Sequence, residues 1–366
     1  MPFFVPLLLT LVMISLIVLV HEFGHYITAV KSGILVEEFA MGMGPKIWSK
    51  KVGDTLFSLR VFPLGGFCKM LGDEGEDSGE TDSRAFCNKS VWKRILVISS
   101  GALMNFALAV VVLTLLYLFD GTYLPVAESI VEGYPAQEAG IMQGDRIIKL
   151  NNIKINTYED FNFYMQDFYG QPIELTIKRG KETFTVNTET KIYEEDGYRR
   201  YIFGFVRQEK KGIFESGEAQ SISIGEAFHE GICSMAFYVK VPLTMLVKEI
   251  ASRQLSINDF SSMVGVVSIV EDIVETPSET PDVNVFWDIV ARMARFLGII
   301  TTSVGLVNLF PLPALDGGRL IFLFYEAIFK RRVAPSKEAV VHAIGLFALL
   351  AFGAAVIINE LFLYYI

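Results

Sequence analysis

The chain has 366 residues and a net charge of −9, with 52% hydrophobic and 20% charged residues. Its mean hydropathy of +0.41 is too high for an ordinary soluble domain, and its charged fraction is too high for membrane spans alone. The acidic balance argues against a nucleic-acid partner. Cys68, Cys87 and Cys233 have no C-x-x-C spacing, which argues against a disulfide framework and a thiolate zinc site. The composition therefore predicts a few membrane spans joined to a soluble part.

The first predicted element is a membrane span at residues 1–30. Residues 3–20 form an 18-residue run without a charge, which is the length that a span requires. A secretory signal is the alternative, but no basic segment precedes the run and no small-residue cleavage site follows it.

The motif His21-Glu22-Phe23-Gly24-His25 follows this run directly and reads H-E-x-x-H. Residues four apart share a helix face, so His21 and His25 would present two imidazole nitrogens to one zinc ion. Glu22 could take a proton from a metal-bound water. The alternative is a pair of interfacial histidines that reach towards water.

Residues 31–92 are predicted to form a cytoplasmic β region associated with the membrane, and the alternative is a small sheet without that role. The segment contains three predicted strands and two glycine-rich turns, followed by an acidic loop at 73–82. The strands are 36–40, 55–62 and 67–71, and the turns are Gly42–Pro45 and Pro63–Gly66.

A second span is predicted at 93–120, after the basic pair Lys93 and Arg94. It contains Gly101 and Asn105, residue types that suit helix–helix contact in lipid. Asn105 could contact the histidine site, but packing is the favoured interpretation.

Residues 121–210 have the composition of a soluble domain. The pattern P-A-x-x-A-G-x-x-x-G-D-x-I is followed by Asn151-Asn152, a helix at 157–169 and strands at 173–178 and 182–188. This order resembles a PDZ domain of the circularly permuted bacterial type. PDZ domains bind extended peptides at a sheet edge, and the alternative is a domain that only blocks access.

Residues 211–290 are predicted to lie at the membrane surface. Residues 221–252 are apolar on one side and contain Pro242, which indicates one or two amphipathic helices, and 276–282 is predicted to be a loop.

The third span is predicted at 291–318, its apolar part being 296–315, and two prolines and two glycines would unwind its end. Asp316 lies at this break, where it could be a zinc ligand, a helix cap or a partner of Arg319. A basic loop at 319–337 and a fourth span at 338–366 complete the chain.

The basic residues beside the spans predict that 31–94 and 325–337 are cytoplasmic. Both termini and the PDZ-like domain would then be extracytoplasmic. The histidine pair and Asp316 would meet near the cytoplasmic face. The predicted fold class is thus an α-helical polytopic membrane protein with four spans, a membrane-associated β region and an inserted extracytoplasmic PDZ (α+β) domain.

HEFGH, PLGGF, the PDZ-like insert and NLFPLPALDGG together resemble the site-2 protease family, and more closely its bacterial RseP type with one PDZ domain. The resemblance covers nearly the whole chain. Ala102 and Val266 stand where proline is common in the family, away from the catalytic residues.

The resemblance implies that zinc is held by His21, His25 and Asp316 and that Glu22 is catalytic. It implies that Asn308 acts near the site, in substrate handling or at the oxyanion. It further implies that the β region holds an extended substrate, through Gly42, Gly44, Pro63, Gly65, Gly66 and Phe67.

The implied activity is zinc-dependent intramembrane proteolysis in the bacterial cytoplasmic membrane. The implied substrates are single-span membrane proteins trimmed first by another protease, such as anti-sigma factors or remnant signal peptides. Two alternatives are a non-catalytic scaffold that captures peptides through its PDZ-like domain and a metal transporter. The complete ligand set argues against the first. The gathering of polar residues at one depth argues against the second.

Overall fold

The computed structural model describes residues 4–73, 82–195, 198–213, 220–276 and 284–365. Most of the two predicted loops, 73–82 and 276–282, lies outside the described residues. The chain divides into two compact units. The first comprises Met1–Ala109 and Val241–Ile366, and the second comprises Val110–Lys240.

Helices α1 and α2 correspond to the first and second predicted spans. Helix α1 runs over Phe4–Lys31 and helix α2 over Val91–Asp120. Gly33, at φ 72°, ends α1, since this backbone conformation is open to glycine and the amide of Ile34 can then reach back to the carbonyl of Ala29. Both helices agree with the predicted bounds to within a few residues.

Helix α5, at Ile224–Ser252, corresponds to the one or two helices predicted at 221–252, whose location at the membrane surface stays a prediction. It is one continuous helix of 29 residues that contains Pro242. Among the described residues, five helices are long and apolar enough to cross a membrane: Phe4–Lys31, Val91–Asp120, Ile224–Ser252, Val285–Leu309 and Pro335–Phe362. The predicted count of four spans is therefore not confirmed by length and composition, because α5 is a fifth candidate.

The helices after α5 differ from the predicted third span and loop. They are α6 (Met263–Glu275), α7 (Val285–Leu309), α8 (Asp316–Phe329) and α9 (Pro335–Tyr365). Helix α7 begins before the predicted residue 291, because Asn284 caps it and Asp288 pairs with Arg292 at 2.7 Å. It ends at Leu309 rather than at 318.

The predicted basic loop at 319–337 is wrong for most of its length, because α8 occupies 316–329. Two ion pairs, Arg319–Asp73 and Arg94–Glu326, hold the charged residues of this helix. The side chains of Leu320 and Leu323 are buried with the apolar residues Ala29, Ile34, Val36, Val97 and Ile98. Because burying a large apolar side chain stabilises the fold by about 1.5–3 kcal/mol, burial of these two leucines favours a helix over a loop.

The β region of the first unit consists of strands β1 (Val36–Val52) and β2 (Thr55–Met70), which pair antiparallel with several register shifts. Residues 38–41 are registered both with 56–59 and with 66–69. The two predicted turns are therefore irregularities inside longer strands. Gly42, Gly44 and Gly65 adopt φ of 84–86° there, which an L side chain rarely adopts.

The second unit contains an antiparallel sheet in the order β10-β3-β4-β6-β7, with β5 paired to β4. Helix α4 is closed at its start by a capping box between Thr157 and Asp160. Ile147, Leu150, Leu175 and Ile177 lie in the buried core. The elements are β3 Thr122–Ile130, α3 Pro135–Glu138, β4 Arg146–Leu150, β5 Ile153–Lys154, α4 Tyr158–Met165, β6 Pro172–Arg179, β7 Glu182–Glu189, β8 Lys191–Glu195, β9 Tyr198–Ile202 and β10 Phe205–Lys210.

The predicted helix at 157–169 and the predicted strands at 173–178 and 182–188 correspond to α4, β6 and β7. The predicted tight turn at Asn151-Asn152 joins β4 to β5, and Asn151 adopts φ 51° there. A periodic apolar pattern with turn residues between the elements made these elements predictable, whereas β3, β8, β9 and β10 had no predicted counterpart.

Candidate active site

The two histidines of the H-E-x-x-H motif lie on one face of α1. Both side chains are buried, and their Nε2 atoms are 3.2 Å apart. The structure thus places His21 and His25 as the helical spacing predicts, four residues apart and one turn above the other.

Asp316 joins the pair from the first residue of α8. Its Oδ2 lies 3.1 Å from Nε2 of His21 and 3.3 Å from Nε2 of His25. Among the described residues, these three side chains are the group whose donor atoms converge closely enough to hold a metal ion. Arg319, the other possible partner of Asp316, pairs instead with both oxygens of Asp73.

The spacing of the three donor atoms fits zinc. A tetrahedral site with bonds of about 2.0–2.1 Å places its ligand atoms about 3.3–3.4 Å apart. The observed separations of 3.1, 3.2 and 3.3 Å match this edge. Two imidazoles and a carboxylate also leave one position for water, as catalytic zinc sites do.

Gly101 of α2 makes the room that this cluster needs. A Cβ at this position would lie 2.4 Å from Nε2 of His25 and 2.7 Å from Nε2 of His21. Gly24 of α1 allows the approach of the two helices, because a Cβ there would lie 2.4 Å from the carbonyl oxygen of Ser100. Glycine at both positions lets α2 pack directly against the motif.

The other ring nitrogen of each histidine, Nδ1, lies within hydrogen-bond distance of a residue of α2. The carbonyl oxygen of Val97 lies 2.9 Å from Nδ1 of His25, and it can only accept a proton. His25 therefore carries a proton on Nδ1, which makes Nε2 the nitrogen that could bind a metal.

Asn105 contacts the other histidine, with its Nδ2 atom 3.3 Å from Nδ1 of His21. Asn105 is fully buried, and its Oδ1 atom has no hydrogen-bond partner. A half-turn of the amide would let Oδ1 accept from Nδ1–H of His21 and leave Nε2 free. The favoured sequence interpretation, packing alone, is therefore wrong for Asn105. A polar residue in a span was the only available signal.

Glu22 lies against strand β2. The backbone amide of Cys68 donates a hydrogen bond to its carboxylate. A Cβ on Gly66 would lie 2.9 Å from the carbonyl oxygen of Ala40, so glycine lets β2 lie close to β1 at the residue beside Glu22. The strand that follows the second glycine-rich stretch therefore positions Glu22.

A cavity of about 570 Å³ opens beside the cluster. Its wall combines the histidine–aspartate cluster and Glu22 with residues of the β region, α2 and α8. The lining residues are His21, Glu22, His25, Glu38, Arg60, Phe67, Cys68, Lys69, Met70, Asp73, Ile98, Asp316 and Arg319. The cavity thus places consecutive residues of β2 beside the candidate catalytic groups.

Glu38 gives this wall a fixed negative charge. Burial raises the pKa of Glu38, but hydrogen bonds from Ser58, Arg60 and Lys46 outweigh it and hold the pKa below its usual range. The Arg60 guanidinium also lies over the ring of Phe67, 4.8 Å from its centroid. These contacts tie Glu38 of β1 to residues of β2 beside the cluster.

The structure places the predicted substrate-binding residues unequally. Phe67 lines the cavity, and Gly66 is the residue before it on β2. Gly42, Gly44, Pro63 and Gly65 lie on the irregular parts of β1 and β2 and do not line it. The hydroxyl of Ser15 on α1 donates to the carbonyl of Pro63, which fastens the second glycine-rich stretch to α1.

Asn308 lies in the last turn of α7, one residue before its end, and is half-buried. It does not line the cavity. Its predicted role near the reacting atoms stays a prediction.

Comparison with known proteins agrees with this geometry. The model of peptidase family M50 matches residues 9–352. A protein of Clostridium perfringens that is assigned by name to the zinc metalloproteases is 32% identical, over 97% of this chain and 98% of its own length. A protein of Clostridium acetobutylicum with the same assignment is 31% identical, over 95% and 94%. The regulator of sigma-W protease RasP of Bacillus subtilis is 27% identical, over 96% and 97%.

The match covers almost the entire chain, and the relatives are bacterial. The chain is a bacterial membrane protein, because its relatives are bacterial and five of its described helices are long and apolar enough to cross a membrane. The chain belongs to peptidase family M50, the site-2 proteases, and is a zinc metalloprotease.

Proposed function

We propose that this protein cleaves peptide bonds within the transmembrane segments of single-span proteins. In this proposal His21, His25 and Asp316 hold the zinc ion and Glu22 is the catalytic acid–base residue. The observation that carries the proposal is the convergence of the three donor atoms at 3.1–3.3 Å, two of which belong to histidines on a helix as apolar as α1. Ionisable side chains in such a helix are costly, which favours a functional role.

The chemistry divides between the metal and Glu22. Zinc in this site supplies a Lewis acid and lowers the pKa of water towards about 7. Glu22 takes the proton of the attacking water and later gives it to the leaving amine. The Cys68 amide keeps the carboxylate of Glu22 aimed into the cavity during both transfers.

The substrate must become extended before it can react, because helical carbonyls are already hydrogen-bonded. Phe67, Cys68, Lys69 and Met70 are consecutive on β2 and all line the cavity. A substrate that pairs as an added strand in this cavity would exchange helical hydrogen bonds for strand hydrogen bonds. Gly42, Gly44, Pro63, Gly65 and Gly66 give the β region the shape that this role requires.

The membrane topology that fits this site has four crossings, made by α1, α2, α7 and α9. The basic residues beside these helices support a cytoplasmic location for the end of α1 and for residues 330–337, and an outside location for both termini. Asp316 touches residues near the cytoplasmic end of α1. An even number of crossings must therefore separate the end of α1 from Asp316. Helices α2 and α7 supply two, and a crossing by α5 would make three.

The domain formed by β3–β10 is then extracytoplasmic. Its order of elements supports the PDZ interpretation, and its position suits a filter that admits substrates whose outer domain has been removed. An upstream protease acting on the same substrate would do this trimming. Anti-sigma factors and remnant signal peptides fit this description, and one relative is named as a regulator of sigma-W.

The test is cleavage of a single-span substrate with a shortened outer domain by the full-length protein in liposomes. We expect the wild type to cut inside the span, as mass spectrometry of the products would show. The Glu22→Gln variant should lose at least about 10²–10⁴-fold in rate and keep its fold and zinc. Normal turnover by Glu22→Gln would contradict the role of Glu22. Intact substrate with the wild type would favour the non-catalytic scaffold.

A further inference from the structure

The segment between α7 and α8 is held in place by α9. Residues 310–315 connect the two helices outside regular helical structure. Within this segment Ala314 adopts φ 74°, a conformation that L residues rarely adopt. A backbone in this region persists only where its surroundings impose it.

His342 of α9 contacts this unusual residue. The amide N–H of Ala314 donates to Nδ1 of His342 at 2.8 Å. Nδ1 therefore carries no proton, and the proton of the neutral ring lies on Nε2. The ring also contacts Phe322 of α8, with centroids 5.8 Å apart, so the side chain is held between α8 and the connecting segment.

Gly345, three residues further along α9, provides a second and independent contact. A Cβ at Gly345 would lie 2.3 Å from Cβ of Pro313 and 2.9 Å from its carbonyl oxygen. Residues three apart share a helix face, so one face of α9 receives Pro313 and Ala314 together.

The connecting segment leads directly to the proposed zinc ligand. Ala314 is two residues before Asp316, and Leu315 donates from its amide to the carbonyl of Leu312 at 3.3 Å. This short, non-helical stretch and the start of α8 together position the Asp316 side chain. A shift of Pro313 and Ala314 is therefore expected to move the carboxylate.

We propose that His342 is a positioning residue of the metal site. Its Nδ1 holds Ala314, and Gly345 seats Pro313, so that Asp316 points at the histidine pair. The part of this proposal in which Asp316 binds zinc rests on the proposed function. The hydrogen bond between Ala314 and His342 does not depend on it.

The first test compares three histidine variants of the full-length protein. In His342→Ala the acceptor is lost. In His342→Asn the amide oxygen Oδ1 occupies the place of Nδ1 and accepts the same hydrogen bond. His229→Ala is the matched control, because the side chain of His229 is 65% exposed on α5.

In the metal-free protein, the hydrogen-exchange rate of the Ala314 amide measures the strength of its hydrogen bond to His342 independently of zinc. We expect the amide of Ala314 to exchange at least about 10-fold faster in His342→Ala, and at the wild-type rate in His342→Asn and His229→Ala. Unchanged exchange in His342→Ala would overturn the inference, whether or not the protein binds zinc.

Two further measurements report the position of Asp316 relative to the metal. They are the rate of zinc release to a chelator and the visible spectrum of the cobalt-substituted protein. We expect release to be about 10-fold faster and the cobalt bands to shift in His342→Ala, as for other outer contacts of metal ligands. His342→Asn should restore both. Faster amide exchange with unchanged release and spectrum would overturn the link to Asp316.

Two glycine variants of α9 repeat the test without touching a histidine. Gly345→Ala should give the same faster release and shifted bands, because the new Cβ pushes Pro313 away. Gly353→Ala is its control, since a Cβ at Gly353 meets nothing within 4 Å. Equal behaviour of the two variants would contradict the proposal. A wild-type protein without zinc would instead contradict the proposed function.

Discussion

At the residue scale, Gly101 leaves the space that the proposed metal site needs beside the two histidines. The prediction is that Gly101→Ala loses zinc affinity by about 10–100-fold or more, because its Cβ would overlap both Nε2 atoms. The helix itself should tolerate the change, since alanine favours helices over glycine by about 1 kcal/mol. Zinc titration of the purified variant measures the loss.

Gly353→Ala is a suitable control for this effect, because it makes the same substitution in a helix with open space around it. Wild-type zinc affinity in Gly101→Ala would show that the metal lies elsewhere.

The residues of the site were predictable to different degrees. The spacing of His21 and His25 needs only a helix, and Asp316 was marked by a break in an apolar stretch. Asn105 could not be assigned, because its contact with His21 depends on how α1 packs on α2, 84 residues away in sequence. A single sequence contains no direct record of such packing.

At the element scale, charged residues caused the largest differences between prediction and structure. The apolar pattern alone placed the third span at 296–315, whereas α7 starts at Val285 and α8 starts at Asp316. Ion pairs such as Asp288–Arg292 and Arg319–Asp73 let helices include charges that sequence patterns treat as boundaries. In the second unit, strands β6 and β7 were predictable, since their residues alternate and a clear turn separates them, whereas β3 and β10 were not predicted.

Beside the β4–β6 pair of that sheet, the buried carboxylate of Asp145 forms an ion pair with Arg179 that has a predictable pH dependence. Asp145 is fully buried and receives two hydrogen bonds of 2.7 Å from Arg179 and one from the amide of Met142. Burial raises the pKa of Asp145, but these partners outweigh burial and leave the pKa below its usual range. A lowered pKa stabilises the fold above the unfolded-state pKa of about 3.9, and the stabilisation is lost as pH falls through the folded-state pKa.

The Asp145→Asn variant should therefore lose about 1–3 kcal/mol of local stability at pH 7, and the difference from wild type should shrink as pH falls below about 4. Hydrogen exchange of β4 and β6, corrected for the intrinsic rate at each pH, measures this. Glu174→Gln on the exposed side of β6 is the control. A difference that stays constant down to pH 3 would contradict the role assigned to the ionised Asp145.

At the scale of the whole molecule, the proposed topology rests on the contact of Asp316 with α1. It predicts that the ends of α5 are both extracytoplasmic. Single cysteines at Lys181, Gln254 and Arg331, in a chain whose three native cysteines are serine, test this with a membrane-impermeant maleimide. Positions 181 and 254 should react in intact cells, and 331 only after permeabilisation. Reaction of 254 together with 331 would show that α5 crosses the membrane.

The central claim is that α1 and the start of α8 form one zinc site, and metal content tests it most directly. Elemental analysis of the detergent-purified wild type should find one zinc per chain. Asp316→Asn should hold much less zinc, while Asp54→Asn, an exposed carboxylate of the same unit, should hold the wild-type amount. Full zinc retention in Asp316→Asn would contradict the account and move the third ligand to another residue.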